Sequence, residues 1–411
     1  MMTFRVLLLA ALLLIPGALR AKPLADMAGV SPRLVIYLAK GAPNACGQGC
    51  DRWIAVEGKV DLAAAARVSR FLRDVKDTQR PIYLHSPGGS VEQAFIIGRL
   101  LRSRKAVARV GRTIVAACGA DQQADAACLK IKASDGEVEA AIETRHSMCN
   151  SACGYVFLGA TTREVAPDAA MAVHNSKLTL VIHGHPTPGQ LAEFTDNSLT
   201  KADRERASYI VAMGFGREFD DLITTIKFDN ARTLTRSEIF RFGIDARPFV
   251  ETSWILETEA RPYARKIALA KKQDDSSFRL MEWRLFCENK DHARLMFIRE
   301  FDKATAGVNA VMMTAGADKP VRFGSYPARI GSYEAWSGTM TSDAMKMVLA
   351  VPHLQMAEAT LVSGGKVNQE IFDIDTSRLE PAWTQLIASC PASPGNLKPV
   401  ASPVVTSAPA Q

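Results

Sequence analysis

Hydrophobic positions recur along this chain in two distinct periods. The runs LVIYLA (34–39), WIAVEGKV (53–60), PIYLHS (81–86) and AVARVGRTIVA (106–116) are short, carry β-branched and aromatic residues, and end at turn residues, so each predicts a strand. Between them, DLAAAARVSRFLRDVKD and SVEQAFIIGRLLRSR bring apolar residues back every three or four positions, which predicts amphipathic helices. Strand, helix, strand, helix is the pattern of a parallel sheet with helices on its faces. A polar insertion bracketed by cysteines, about 118–145, interrupts it. Beyond it lie a short apolar helix in CNSACGYVFLGA, the strand-like MAVH (171–174) and a long amphipathic helix over about 188–213. Shorter helices near 217–226 and 235–242 close the region by about residue 250.

The pattern then changes. Residues 251–277 are charged and helix-prone and read as a helical connector. From 278 the runs FRLMEWRLFC, RLMFIRE, VMMTAG, VRFGS, MKMVLAV, ATLVSG and QEIFDI alternate between turn residues. They predict an antiparallel β domain over 278–390 that ends in one helix, PAWTQLIASC. Residues 391–411 hold five prolines and no periodicity, the signature of a disordered tail. The expected fold class is therefore α/β, a core of stacked β–α units followed by a smaller β-rich C-terminal domain.

Composition and charge narrow the function classes. The 411 residues suffice for two or three domains, and 47% hydrophobic content supports buried cores. The net charge of +7 contains no run of five or six like charges, so no nucleic-acid partner is expected. Residues 1–21 place Arg5 before ten apolar residues, Val6 to Ile15, then Pro16-Gly17 and a small residue at Ala21. That is the layout of a cleavable signal peptide, because a spanning helix needs about 20 apolar residues. The mature chain is expected to be periplasmic or secreted, with no membrane span. Cysteines in such an oxidising compartment pair by default. Proximity favours Cys46 with Cys50, Cys118 with Cys128, Cys149 with Cys153, and Cys287 with Cys390, one of many connectivities open to eight cysteines.

Three segments carry candidate chemistry. In PIYLHSPGGSV, Gly88 and Gly89 at a strand-to-helix turn suit either an oxyanion hole or simply a tight turn that needs positive φ. In MCNSACGYVFLGA, Ser151 precedes a helix of small residues, as an N-cap or as a nucleophile beside the positive end of the helix dipole. His174 ends the strand-like MAVH and is by itself as compatible with a structural role as with a general base. Acyl transfer needs a nucleophile, a base and two N–H donors around one carbonyl, so the three together weigh more than each alone.

In this order, SPGGSV, NSACGYVFLGA and MAVH resemble the Clp protease proteolytic subunit and its relatives, signal peptide peptidase A among them, over about residues 35–250. The stretch RTLTRSEIFRFGID (232–245) is similar to the element that closes the core of that family. The resemblance implies a Clp protease/crotonase-like core over 27–250, with Ser151 as nucleophile and His174 as general base and then acid. It further implies the N–H groups of Gly88 and Ala152 as oxyanion hole, and a substrate groove near Gly89, Ser90 and His85. The third triad member lies in KFDNARTL, at Asp229 or Asn230. Asp229 is preferred because a carboxylate both stabilises the imidazolium and sets its tautomer, whereas Asn230 does only the second. The implied activity is that of a periplasmic serine endopeptidase acting on peptide or protein substrates, without cofactor or metal, and self-associating as a homo-oligomer.

The chain departs from the family in the insertion and in Cys153, which stands where a small residue follows the serine by two. A Cys149–Cys153 bond would staple the nucleophile turn. These departures motivate the alternative of a catalytically inactive binding module that uses the groove and the C-terminal domain. Neither cysteine stands at the nucleophile position. The acyl-coenzyme A enzymes with a similar core lack a serine and histidine at these places. His183 and His185, in VIHGHPTPG, read as part of a capping loop because no further ligand completes a metal set.

Overall fold

Full burial along Trp53–Glu57 and Ile82–His85 marks these two segments as central strands, covered on both faces. They are β2 (Arg52–Glu57) and β3 (Ile82–His85), flanked in sequence by β1 (Val35–Lys40), α1 (Ala64–Asp74), α2 (Val91–Ser103), β4 (Val107–Val110) and β5 (Arg112–Val115). There follow α3 (Ala126–Lys132), β6 (Glu137–Glu143), α4 (Ala152–Gly159), β7 (Thr162–Glu164), β8 (Ala172–Val173), α5 (Pro188–Ala212), α6 (Arg217–Thr225), β9 (Arg232–Thr233) and α7 (Arg236–Arg241). The computed structural model describes residues 30–31, 33–178, 184–258, 261–272, 277–301, 308–316, 321–323, 327–361 and 367–390. The expected signal peptide (1–21) and tail (391–411) lie outside the described residues.

Seven strands form one sheet in the order β5-β6-β1-β2-β3-β4-β7. From β2 to β7 the strands are parallel, but β1 runs antiparallel to β2, and β5 antiparallel to β6. The expectation of a parallel sheet thus holds from β2 to β7 and for the β1–β6 pair, and fails at β1–β2 and β5–β6. The polar insertion contributes more than a loop. Its Glu137–Glu143 turns Val138, Ala140 and Ile142 to one buried face, and β6 enters the sheet between β5 and β1. Helix starts follow side-chain chemistry: the Ser90 hydroxyl caps α2 by accepting from the Gln93 N–H, and Thr187 with Gln190 forms a capping box ahead of Pro188 in α5. Glycine lets α2 and α4 touch backbone to backbone, since a Cβ on Gly159 would stand 2.2 Å from the Gly98 carbonyl oxygen.

The C-terminal region is mixed in detail but β-rich. Its strands are β10 (Phe249–Glu251), β11 (Ile255–Glu257), β12 (Tyr263–Lys271), β13 (Phe278–Asn289), β14 (His292–Glu300), β15 (Val308–Ala315), β16 (Val321–Arg322), β17 (Ala328–Ile330) and β18 (Tyr333–Thr341). After α8 (Ser342–Ala350) come β19 (His353–Leu361), β20 (Val367–Asp375) and α9 (Leu379–Ala388). One sheet runs β10-β12-β13-β14-β18-β17 with β11 beside β12, and a second runs β16-β15-β19-β20, all antiparallel. Two expectations are corrected here. The connector is built of strands: YARKIALAK has helix-forming residues, but Ala264, Lys266, Ala268 and Ala270 alternate inward and pair along β13, and tertiary pairing overrides propensity. MKMVLAV belongs to α8, where Met345 and Val348 bury one turn apart behind the Thr341 cap.

The eight cysteines form four bridges, Cys46–Cys50, Cys118–Cys128, Cys149–Cys153 and Cys287–Cys390, joining the pairs that sequence proximity favours. Four disulfides fit an extracellular or periplasmic protein. Among the described residues no helix is long and apolar enough to cross a membrane. The two regions meet through Arg378, whose Nη1 donates to the Ile142 carbonyl at 2.6 Å, and through Arg145, which grips both Glu257 oxygens at 2.8 Å.

Candidate active site

The strand β3 ends in the turn Ser86-Pro87-Gly88-Gly89, and the next layer of chain is built upon that turn. The Ser86 N–H donates to the Met148 carbonyl at 2.8 Å, and the Asn150 N–H to the Ser86 carbonyl at 3.0 Å. The segment 147–151 in turn pairs with 170–172: the Cys149 N–H donates to the Ala170 carbonyl and the Ser151 N–H to the Ala172 carbonyl, at 2.9 and 2.8 Å. The strand β8 then pairs with β9. The glycine turn, the Ser151 turn and the strand leading to His174 therefore form one hydrogen-bonded stack. Asn150 clamps it, its Oδ1 accepting from the Ala172 N–H at 2.8 Å. Nothing in the sequence pattern singled out Asn150 beyond its place next to the serine.

Ser151 caps α4 with φ +54° and ψ −123°, a conformation that residues with a Cβ seldom adopt and that costs about 1–3 kcal/mol. The α4 helix that follows is buried along its whole length, so its amino terminus is held firmly against the serine. Gly88, at φ +103°, packs directly on this turn. A Cβ there would lie 2.7 Å from Ser151 Cβ and 3.0 Å from the Ala152 nitrogen. The Gly88 N–H donates to Ser86 Oγ at 3.1 Å. Ala152 is the first residue of α4, where a helix N–H has no partner within its own helix.

Ser151 and His174 line the same narrow cleft, about 10 Å³ in volume, with Gly154, Tyr155, Met171, Val173 and Phe219 among its walls. His174 is buried, and its Nδ1 lies 2.6 Å from the Asn175 carbonyl oxygen. A carbonyl oxygen only accepts, so Nδ1 carries a proton, and in the neutral ring the lone pair that a general base needs is then on Nε2. The ring stands edge-on to Phe228 at 4.8 Å. No hydrogen bond joins Ser151 to His174 among the described residues.

The other expected site residues lie apart from this pair. Asp229 and Asn230 sit exposed on a single 3-10 turn, Phe228–Asn230, and neither side chain bonds to His174 among the described residues. The backbone carbonyl of Asn175 occupies the orienting place. Gly89 is exposed, and Ser90 is engaged as the α2 cap. His85 lines a different cavity, with Glu57, Arg112, Gln123 and Lys132. Burial pushes its pKa down to about 4, and its Nδ1 accepts from the Met148 N–H at 3.2 Å. His183 is outside the described residues, His185 is exposed, and among the described residues no group of three or more His, Cys, Asp or Glu gathers as a metal set.

No protein-family model and no curated protein matches the chain. Among solved structures it is similar to invasion associated protein B from Bartonella henselae, at 12% identity over 34% of this chain and 91% of that one, with a TM-score of 0.24. It is also similar to the 1510-N membrane-bound stomatin-specific protease, at 14% identity over 46% of this chain and 73% of that one, with a TM-score of 0.28. These identities are too low to transfer an activity.

Proposed function

We propose that the protein is an exported serine peptidase whose 27–250 region is a Clp protease-like core, with a signal peptide over 1–21 and a β-rich C-terminal domain. The observation that carries this reading is the shared cleft: a serine at φ +54° and a buried histidine whose Nδ1 is held by the Asn175 carbonyl line the same small, mostly apolar space. Ser151 Oγ attacks the peptide carbonyl while His174 Nε2 takes its proton and then returns it to the leaving amine. Ala152 N–H, at the positive end of the α4 dipole, meets the developing oxyanion, joined by Gly88 N–H once that group turns from Ser86 Oγ. The Asn175 carbonyl holds the tautomer, and Asp229, the residue after the Phe228 whose ring lies against His174, is the carboxylate that the family resemblance assigns to the third place. Substrates are peptides or unfolded chains, and the protein self-associates.

A fluorophosphonate probe tests the reading. Wild-type protein should be phosphonylated at Ser151, and Ser151→Ala should lose both labelling and peptide cleavage. An unlabelled wild type, with cleavage equal to that of Ser151→Ala, refutes it. That result would favour the non-catalytic binding module.

A further inference from the structure

The bridge Cys149–Cys153 encloses the nucleophile, and its position has a consequence beyond the reaction itself. Cys149 lies within the segment stacked on 170–172, and Cys153 lies in the first turn of α4, so Asn150, Ser151 and Ala152 are the residues inside the ring. The Cα atoms of Cys149 and Cys153 stand 5.1 Å apart, whereas four residues of extended chain span about 13 Å. The closed ring therefore excludes an extended chain across the turn that holds Ser151, the residue whose φ is +54°. Both cysteines belong to the main buried core, at 0% and 1% exposure, in the cluster that also holds Ala152, Val156 and Met171, so the ring cannot swing as a loop would. The other bridges do not touch this turn. Cys46–Cys50 and Cys118–Cys128 belong to a second cluster, around Trp53 and Tyr83, and Cys287–Cys390 to the β domain.

We infer that the Cys149–Cys153 bond licenses the site: oxidised, it holds Ser151 in its reactive left-handed turn, and reduced, it releases the serine to ordinary backbone conformations and silences it. The inference rests on the serine-hydrolase reading and adds its regulation. In the licensing step each thiol gives up one proton and one electron to a disulfide donor, which becomes a dithiol as the Sγ–Sγ bond forms. In the reverse step a dithiol such as dithiothreitol supplies two electrons and two protons and closes to its own disulfide. Because both cysteines are buried, oxidation precedes or accompanies folding, and a chain that folds in a reducing compartment is inert.

The test compares fluorophosphonate labelling rates of full-length wild type, Cys149→Ala/Cys153→Ala, and Cys118→Ala/Cys128→Ala, at a temperature where circular dichroism shows all three folded. Should the alanine pair not fold, Cys149→Val/Cys153→Ala keeps closer to the lost volume and replaces it. The site variant should label at least tenfold more slowly, and in peptide cleavage lose kcat with little change in KM and an unmoved pH midpoint. The control should match wild type. A merely structural bridge would lower the melting temperature and leave these rates alone. If the site variant labels within twofold of wild type, the licensing role is overturned while the hydrolase reading stands. If wild type itself does not label, the hydrolase reading falls, and the licensing role with it.

Discussion

Replacing Gly88 by alanine loads the one point where the glycine turn and the serine turn touch. Two costs add. The first is conformational: Gly88 has φ +103°, and a Cβ in left-handed backbone costs about 1–2 kcal/mol. The second is steric: the new Cβ would lie 2.7 Å from Ser151 Cβ, 2.8 Å from the Asn150 carbonyl oxygen and 3.0 Å from the Ala152 nitrogen, all on a turn locked by hydrogen bonds and a disulfide. Overpacking against such a surface costs about 1–3 kcal/mol. The sum, about 2–5 kcal/mol, is a large share of the stability of a single domain and should lower the melting temperature by about 4–20 °C. Two other glycines separate the terms. Gly49 has φ +73° with nothing within 4 Å of its added Cβ, so Gly49→Ala carries the conformational cost alone. Gly154 lies inside α4 with its nearest neighbour at an ordinary 3.4 Å, so Gly154→Ala should be neutral or stabilising by up to about 1 kcal/mol. Thermal and urea unfolding of the three variants should rank them in that order, with Gly88→Ala also losing probe labelling. A Gly88→Ala protein no less stable than Gly49→Ala would refute the contact between the two turns.

Two further outcomes follow from the buried polar groups. His85 binds a proton near pH 6.5 in the unfolded chain but only near 4 in the folded one, so the unfolded state holds more protons between these values. Its contribution is whole above pH 6.5 and declines as pH falls, by about 3 kcal/mol at pH 4, and urea midpoints of His85→Gln should be flatter than wild type across that window. Equal slopes would show that His85 does not stay neutral. Lys132 meets Glu57 at 2.8 Å in a site where Tyr37 Oη and the Thr113 N–H are the other partners of that carboxylate. Lys132→Ala should cost about 3–5 kcal/mol in urea unfolding because it strands a buried charge, while Lys132→Met/Glu57→Gln should cost less. A single variant as stable as the double would contradict this.

Much of the first half of the chain was legible because its signals are local. The helices α2 and α5 start at Ser90 and Thr187, hydroxyl residues that meet nearby N–H groups, and their apolar residues repeat at helical spacing. Once the signal-like amino terminus pointed to an oxidising compartment, proximity favoured the four cysteine pairs as one connectivity among many. Where the sequence misled, the deciding contacts were distant ones. EVEAAIE looked like part of a polar insertion until β1 and β5 gave its buried face a sheet to join. YARKIALAK looked helical because Ala, Lys and Arg favour helices, and only the long partner β13 made it a strand. MKMVLAV, equally apolar in either period, became a helix because Thr341 caps it and the sheet beneath receives one face.

The site divides in the same way. The chain itself determined which residues could do the chemistry, because a serine before a small-residue helix, a glycine turn and a strand-ending histidine are local features. The tertiary structure alone decided that Ser151 and His174 share a cleft and that Asn150 ties their two segments together. It also turned His85 away to a different cavity, left Asp229 exposed, and gave the orienting bond on His174 to the Asn175 carbonyl. Convergence depends on the pairing of Ser86 with 148–150, about 60 residues on, and of 147–151 with 170–172, about 20 residues further, and backbone hydrogen bonds of that kind are made by groups that every residue but proline possesses. They leave no mark in the order of side chains.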